Sequence, residues 1–442
     1  MADTDASRRG RLEYSGKHIL APMVRMGTLP FRSLCLDYGA DIVYSEEIVD
    51  IKFLQSKRTV NTALNTVDYT IPKELIFRTH PCEHSSVVLQ IGTSNSDQAV
   101  QVARMVENDI AGLDINMGCP KDYSVRGGMG AALLKTPDVA EDILRRIRAE
   151  FKKPLTCKIR LFHNMQDSVN FAKRMEATGI EAIAVHGRTK EERPSHKNNS
   201  AAIRAIAQAV SIPVIANGGS SDIRCYNDLE KFRLECGASS VMVARSVQTN
   251  PSIFRREGLL SREQMISDFL RKSIDFDIPF RNAKYGVQHL FGDTSTEFGQ
   301  TFLATRDYPD MCEVFGFEDY YAQKHVSTPE KDRLVVEKKS CSLKRDREED
   351  IVVEEVDYNP ISKKLKKALN TFTPKSILLE HCKKHSIAPA QYSFTSTGKT
   401  FCGSVLVMGK TFISTVPHRT KKDAEQAATV VALRHIMPEF SL

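Results

Sequence analysis

The chain has 442 residues, more than the roughly 100 to 200 of an ordinary domain, which implies two or three domains and ample length for a large core. Charged residues make up 26%, the net charge is +7, and ten cysteines are scattered without Cys-x-x-Cys pairs; this excludes a small secreted disulfide scaffold and permits a polyanionic partner. The N-terminal MADTDASRRGRLEYSGKH has no apolar signal core, and no apolar run nears the roughly 20 residues that span a bilayer, so a soluble cytoplasmic chain with no membrane partner is expected.

A tail over 1–17 precedes a region, His18 to Ser246, in which short apolar β-branched runs alternate with segments of helical periodicity. The expected strands are His18–Met23, Ile42–Glu46, Val87–Gly92, Gly112–Met117, Leu155–Arg160, Ala182–Gly187, Pro213–Gly218 and Ser240–Arg245. Eight strands in about 230 residues match the count and size of a (β/α)8 TIM barrel, placed over 18–252. A doubly wound α/β sheet is the alternative, although no Gly-x-Gly-x-x-Gly follows the first strand. Helices are expected over Pro30–Tyr38 and Ser96–Val106, and another opens at Pro137 with Thr136 as N-cap.

After Asn250-Pro251 the β-branched runs stop, and 253–326 reads as a helical subdomain with apolar positions such as Met265, Ile266, Phe269 and Ile274. Over 327–367 charges of both signs crowd together with few apolar anchors, the composition of a flexible linker. Its KRDR is either a nuclear signal or solvated charge. The segment 368–442 reads as a separate α+β domain of α-β-β-β-α order: a helix (SILLEHCKK), three strands (QYSFTS, TFCGSVLVM, KTFISTV) and a second helix (KKDAEQAATVVALRHIM).

A barrel of this kind places its active site at the C-terminal ends of its strands. Those ends carry Met23, Glu46, Gln90, Asn116, Lys158 with Arg160, His186 with Arg188, Asn217, and Arg245. Asn217-Gly218-Gly219 and Ala244-Arg245-Ser246 follow the last two strands, where such barrels bind phosphate; a plain turn is the alternative. Period-two alternation puts Thr156, Lys158 and Arg160 on one face. The Lys158 ammonium needs an anion there, either a reduced flavin or a carboxylate such as Glu46. The sharpest feature is Asp114-Ile-Asn-Met-Gly-Cys-Pro120 followed by Arg126-Gly-Gly-Met-Gly-Ala131, which sets the Cys119 thiol on a glycine-bounded loop where it can give or take a proton. Two His/Cys groups, His80-Pro-Cys82-Glu-His84 and His381-Cys382-Lys-Lys-His385, lack the further ligands of a structural zinc site, so no metal is expected.

Seven segments resemble the tRNA-dihydrouridine synthases: APMVRMGTLPFR (21–32), LQIGTS (89–94), DINMGCPKDYSVRGGMGAALL (114–134), CKIR (157–160), AVHGRTKEER (184–193), IANGGS (215–220) and VMVARSVQTNPSIF (241–254). The C-terminal segment resembles a double-stranded-RNA-binding domain, with Lys421-Lys422-x-Ala424-Glu425 at the entry to its second helix. Together they look like the eukaryotic type acting on uridine at tRNA position 20. One departure is the short Ser396-Thr397-Gly398-Lys399 loop, where that domain family carries a longer loop that reaches a minor groove.

The resemblance implies an FMN enzyme reduced by NADPH that delivers hydride to C6 of uracil in tRNA while Cys119 protonates C5. It assigns FMN to Pro22, Met23, Val24, Gln90, Lys158, His186, Asn217, Gly218, Gly219, Ala244 and Arg245, and the target base to Asn116, with Arg188 nearby. Arg419, Lys421 and Lys422, extended by Lys375, form the expected phosphate clamp. Competing readings are an FMN barrel acting on a free pyrimidine, against which the RNA-binding segment speaks, and a non-catalytic RNA-binding protein, against which intact Cys119, Lys158 and His186 speak.

Overall fold

The computed structural model describes residues 12–72, 74–193, 195–326, 351–354, 373–385, 387–397, 400–418 and 420–437. The chain divides into two compact units, Met1–Val336 and Glu337–Leu442. In the first, eight parallel strands close into a barrel: β1 (His18–Leu20), β2 (Ile42–Val49), β6 (Val87–Gly92), β7 (Gly112–Met117), β8 (Leu155–Leu161), β9 (Ala182–Thr189), β10 (Val214–Asn217) and β11 (Ser240–Val243), with β11 hydrogen-bonded back to β1. The first and last barrel strands are shorter than the sequence suggests: Ala21–Met23 leaves the sheet, and Arg245 opens a short helix, Arg245–Thr249.

Alternation on β8 shows how the barrel sorts its side chains. Leu155, Cys157, Ile159 and Leu161 enter the apolar layer beneath the helices, while the Thr156 hydroxyl reaches Asp114 inside. The barrel floor is a second apolar cluster of Ile19, Ile42, Tyr44, Val88, Ala182, Ala184, Ile215 and Met242. Tyr14, which the sequence assigns to the N-terminal tail, is buried in this floor, and the Ser240 hydroxyl donates to its carbonyl at 2.5 Å.

Helix Ser96–Val106 illustrates the outer layer. Ala99, Val102, Ala103 and Val106 recur at helical spacing and are buried, each valine stabilising by about 1.5–3 kcal/mol. Asn95 caps it, its side chain accepting from the Gln98 N–H at 3.1 Å; Asn95→Ala would cost about 1 kcal/mol. Thr136 does occupy the N-cap position of helix Pro137–Glu150, yet its hydroxyl donates to the Ala132 carbonyl instead of capping.

Between β2 and β6 lies an antiparallel sheet the sequence reading does not contain: β3 (Lys57–Asn61), β4 (Thr66–Ile71) and β5 (Glu74–Thr79). It is tied down by buried charge. Arg78 pairs with Asp68 and also donates to the Phe276 carbonyl at 2.5 Å, joining this sheet to the C-terminal helices. Arg32, 1% exposed, makes a two-pronged pair with the buried Glu83. Removing one partner of such a pair costs about 3–5 kcal/mol because the other charge stays buried. Helices Arg262–Asp275, Phe280–Phe291, Glu297–Ala304, Tyr308–Phe315 and Glu318–Val326 follow, and Phe269, Leu270, Val287, Leu290, Phe302 and Met311 belong to the same apolar layer as the barrel.

In the second unit helix Pro374–Lys384 is followed by β13 (Gln391–Thr397), β14 (Thr400–Val407), β15 (Lys410–Ser414) and helix Lys421–Ile436. β14 lies so close to the last helix that a Cβ on Gly403 would meet backbone at Ala424. The expected α-β-β-β-α order is present with one addition. Ile351–Glu354, inside the segment read as linker, forms β12 and pairs in parallel with β15, so the sheet order is β12-β15-β14-β13. The rest of that linker, 327–350 and 355–367, lies outside the described residues. No described helix is long and apolar enough to cross a membrane.

Candidate active site

Strand register assembles the site. Asn116 pairs with Lys158, Arg160 with His186, and His186 with Asn217, so the predicted strand-end residues from β7, β8, β9 and β10 share one rim of the barrel. Gln90 joins them from β6 opposite Asp114. Pro22, Met23 and Val24 follow β1, with Val24 exposed, and Ala244 and Arg245 follow β11.

A chain of hydrogen bonds runs from the barrel interior to the thiol loop. Asp114, fully buried, accepts from the Thr156 hydroxyl at 2.6 Å and from Gln90 Nε2 at 2.8 Å. Gln90 Oε1 accepts from Asn116 Nδ2 at 3.1 Å, and Asn116 Oδ1 accepts from the N–H groups of Gly118 and Cys119, both at 2.9 Å. Asn116 therefore pins the loop that carries Cys119. Burial pushes the Asp114 carboxyl up to about 6, opposed by the bonds from Thr156 and Gln90 and by the charge of Lys158. Cys119 is half-buried, and burial followed by the charge of Glu47 holds its thiol above the ordinary value.

The neighbouring strands β8 and β9 make the rim cationic. Lys158 has no hydrogen bond or ion pair among the described residues, so the alternative of a Glu46 salt bridge is not realised. Burial, then the charge of Arg160, pulls its ammonium down to about 8. His186 is pushed far below its usual value by burial and by Lys158, Arg160, Arg188 and Arg245, so it is neutral. The Arg188 guanidinium can only donate, and it does so to His186 Nε2 at 3.2 Å, which leaves the imidazole proton on Nδ1.

Arg188 is 4% exposed and also donates to the carbonyls of Gly218 and His196, both at 2.8 Å, so it braces the loop after β10 and is not free to reach a base. Gly218, at φ +118°, has no room for a side chain: a Cβ would meet His186 and Arg188. Asn217 is spent on the Met242 carbonyl at 2.8 Å, holding β10 to β11.

Two site features escaped the sequence. A bulge in β2 shifts the register between Tyr44 and Glu47, so Glu47, not Glu46, stands opposite Gln90. Glu46 instead accepts from the Arg25 N–H at 2.9 Å. Tyr123 also belongs here, its hydroxyl donating to Glu47 Oε2 at 3.2 Å. Alternation alone could not reveal the bulge, although Ser-Glu-Glu at a strand end signals it weakly.

In the second unit Lys421 and Lys422 are exposed at the helix start, with Lys421 over the rings of Phe394 (4.2 Å) and Phe401 (5.6 Å). Thr420 caps this helix, accepting from the Asp423 N–H at 3.1 Å. Lys375 departs from expectation: its ammonium is paired with Glu425 at 2.6 Å and lies 3.8 Å from the Tyr392 ring centre, bridging the two helices. Arg419 lies outside the described residues. No group of three or more His, Cys, Asp or Glu side chains able to hold a metal occurs among the described residues.

Residues 374–436 match the family described as double-stranded RNA binding motif. A tRNA-dihydrouridine(20) synthase (NAD(P)+) of Schizosaccharomyces pombe is 36% identical over 346 residues, 74% of this chain and 71% of that protein. The corresponding protein of Saccharomyces cerevisiae is 36% identical over 305 residues, 64% of this chain and 79% of that protein. A crystal structure of a tRNA-dihydrouridine(20) synthase dsRBD domain is 29% identical, covers 20% of this chain and 89% of that one, and superposes with a TM-score of 0.17. The barrel and the helix that follows it, residues 19–275, match the family described as Dihydrouridine synthase, and the chain belongs to that family.

Proposed function

We propose that the protein reduces uridine to 5,6-dihydrouridine in tRNA, at position 20 of the D loop, using FMN and NADPH. The observation that carries this reading is the pairing of a pinned, protonated thiol at Cys119 with an unpaired ammonium at Lys158 across one barrel rim. The names of the two yeast relatives support the substrate and the nicotinamide donor.

The rim fits FMN. The Lys158 ammonium lacks an anion, and the Ser246 hydroxyl, beside Arg245, is buried without a partner. Gly218, Gly219, Ala244 and Arg245 would hold the phosphate, while Pro22, Met23, Val24, Gln90, Lys158, His186 and Asn217 would surround the ring. When bound, FMN supplies the hydride that reaches C6, after reduction by NADPH.

The chain's own residues do the rest. Lys158 stabilises negative charge at the ring edge, and neutral His186 presents Nδ1–H as a donor without adding charge. Asn116 fixes the Cys119 backbone, so the thiol is aimed before substrate arrives, and Cys119 then delivers its proton to C5. A uridine inside folded tRNA must be turned out to reach this rim, and contacts elsewhere on the RNA supply the energy. Lys421 and Lys422 offer such contacts to phosphate.

The test is to incubate the FMN-loaded protein with NADPH and unmodified tRNA and map any gain of two hydrogens to a nucleotide. A gain at position 20 is expected. Reduction of free uracil derivatives with unchanged tRNA would refute the reading.

A further inference from the structure

Two side chains that interact with the Cys119 thiol each carry a buried oxygen, Glu47 (Oε1) on the bulged strand β2 and Ser124 (Oγ) on the short helix Asp122–Arg126. Neither oxygen has a hydrogen-bond partner among the described residues. Glu47's other oxygen, Oε2, accepts from the Tyr123 hydroxyl, and Tyr123 is 49% exposed at the mouth of the site. A continuous path therefore leads from solvent through Tyr123 and Glu47 to Cys119.

A thiol that gives up a proton each turnover must recover one. The thiolate formed beside Glu47 faces a carboxyl group that cannot comfortably be charged at the same time, so the pair holds one proton between them. Burial and the charge of Glu47 favour returning it to sulfur. Lys158 and Arg160 on β8 face the thiol, Lys121 and Lys158 face Glu47, and the Ser124 hydroxyl is placed to donate to the thiolate, so the anion left by proton transfer is held until a proton arrives. Burial also raises Glu47 above its usual value, which favours its protonated form.

We propose that Glu47 re-protonates Cys119 after each turnover, with Tyr123 as its link to solvent. The proposal rests on Cys119 being the proton donor. In the first step the S–H bond of Cys119 breaks as the C–H bond at C5 forms. In the second, Glu47 takes a proton from solvent at the mouth by way of the Tyr123 hydroxyl, and its new O–H then breaks as S–H reforms on Cys119. Glu47 touches the reacting sulfur but not the base, so its loss shows in repeated turnover more than in the first.

Two readouts on the full-length FMN-loaded protein test this. One is the pH dependence of Cys119 alkylation by iodoacetamide, followed on the Cys119 peptide by mass spectrometry, which needs no tRNA. Glu47→Gln removes the neighbouring negative charge, and the alkylation midpoint of Cys119 should fall by about one pH unit. The other is dihydrouridine formation. The first turnover of E47Q should keep close to the wild-type rate, while later turnovers slow about tenfold or more. Tyr123→Phe, at an exposed position that folding tolerates, should slow later turnovers with only a small change in the midpoint.

An unchanged Cys119 midpoint in folded E47Q, or repeated turnover as fast as wild type, overturns the proposal. The functional reading fails separately, if the wild-type protein makes no dihydrouridine at all, and the alkylation profile still decides whether Glu47 controls the thiol.

Discussion

Gly130→Ala isolates what the thiol loop contributes. Gly130 has φ +58°, and a Cβ placed there would lie 2.7 Å from the Cys119 carbonyl oxygen and 3.0 Å from Cys119 Cβ, besides meeting the Ser124 hydroxyl. The left-handed backbone alone costs an alanine about 1–2 kcal/mol. The contact with the Cys119 backbone cannot be relieved by rotating a side chain, so the loop itself must give way and the Ala131 N–H to Cys119 carbonyl bond of 3.0 Å with it. A displacement of that order at a catalytic group costs up to about 10²-fold in rate. Gly316→Ala is the control, because Gly316 has φ +71° and a Cβ there would meet nothing within 4 Å, so it carries backbone strain without touching the site. G316A should lose about 1–2 kcal/mol in stability and G130A at least as much, a fall in Tm of about 1–2 °C per kcal/mol for a unit of this size. Only G130A should lose kcat/KM for dihydrouridine formation, by about 10- to 100-fold, with FMN affinity by fluorescence quenching unchanged. Equal activity in G130A and G316A would refute the claim that the loop aims the thiol.

Lys158→Met should weaken FMN binding and flatten its pH dependence, because the wild-type ammonium is charged below about 8 and loses its charge above it. The sign for stability is opposite. The charged lysine is disfavoured in the fold, so FMN-free K158M should be the more thermostable protein at pH 7, and its advantage should shrink as pH rises from about 8 to the lysine's ordinary 10.5; a gap in Tm that widens over that window contradicts the assignment. Lys421→Ala with Lys422→Ala should weaken tRNA binding and reduce the salt slope of log K by about one unit per lost phosphate contact, while NADPH still reduces the flavin; filter binding across a salt series checks this, and an unchanged slope removes these lysines from the RNA interface.

The barrel was legible because each barrel strand is a short β-branched run, and because the alternation that buries Cys157 and Ile159 outward necessarily turns Lys158 and Arg160 inward. The inserted sheet was not. β3 is largely exposed, so Lys57–Asn61 shows no apolar face, and β4 and β5 owe their place to the Arg78–Asp68 pair and to the Phe276 carbonyl some two hundred residues away. The same distance problem hid Lys375, whose partner Glu425 lies on the other helix. β12 was readable in principle, since Ile351-Val-Val-Glu354 is a β-branched run, but the charge crowded around it pointed to a linker. Glu47 needed the structure outright: one extra residue in β2 exchanges the roles of adjacent glutamates, and period-two reasoning then selects the wrong one.

In the proposed reaction Cys119 protonates a uracil held in tRNA at this barrel rim. Its most direct test compares wild-type and Cys119→Ala protein, both loaded with FMN, for dihydrouridine formed on unmodified tRNA with NADPH as reductant. Cys119→Ala should keep its flavin absorbance and tRNA affinity yet form product about 10² to 10⁴-fold more slowly, the usual worth of a general acid. A Cys119→Ala protein that converts tRNA at the wild-type rate would contradict it.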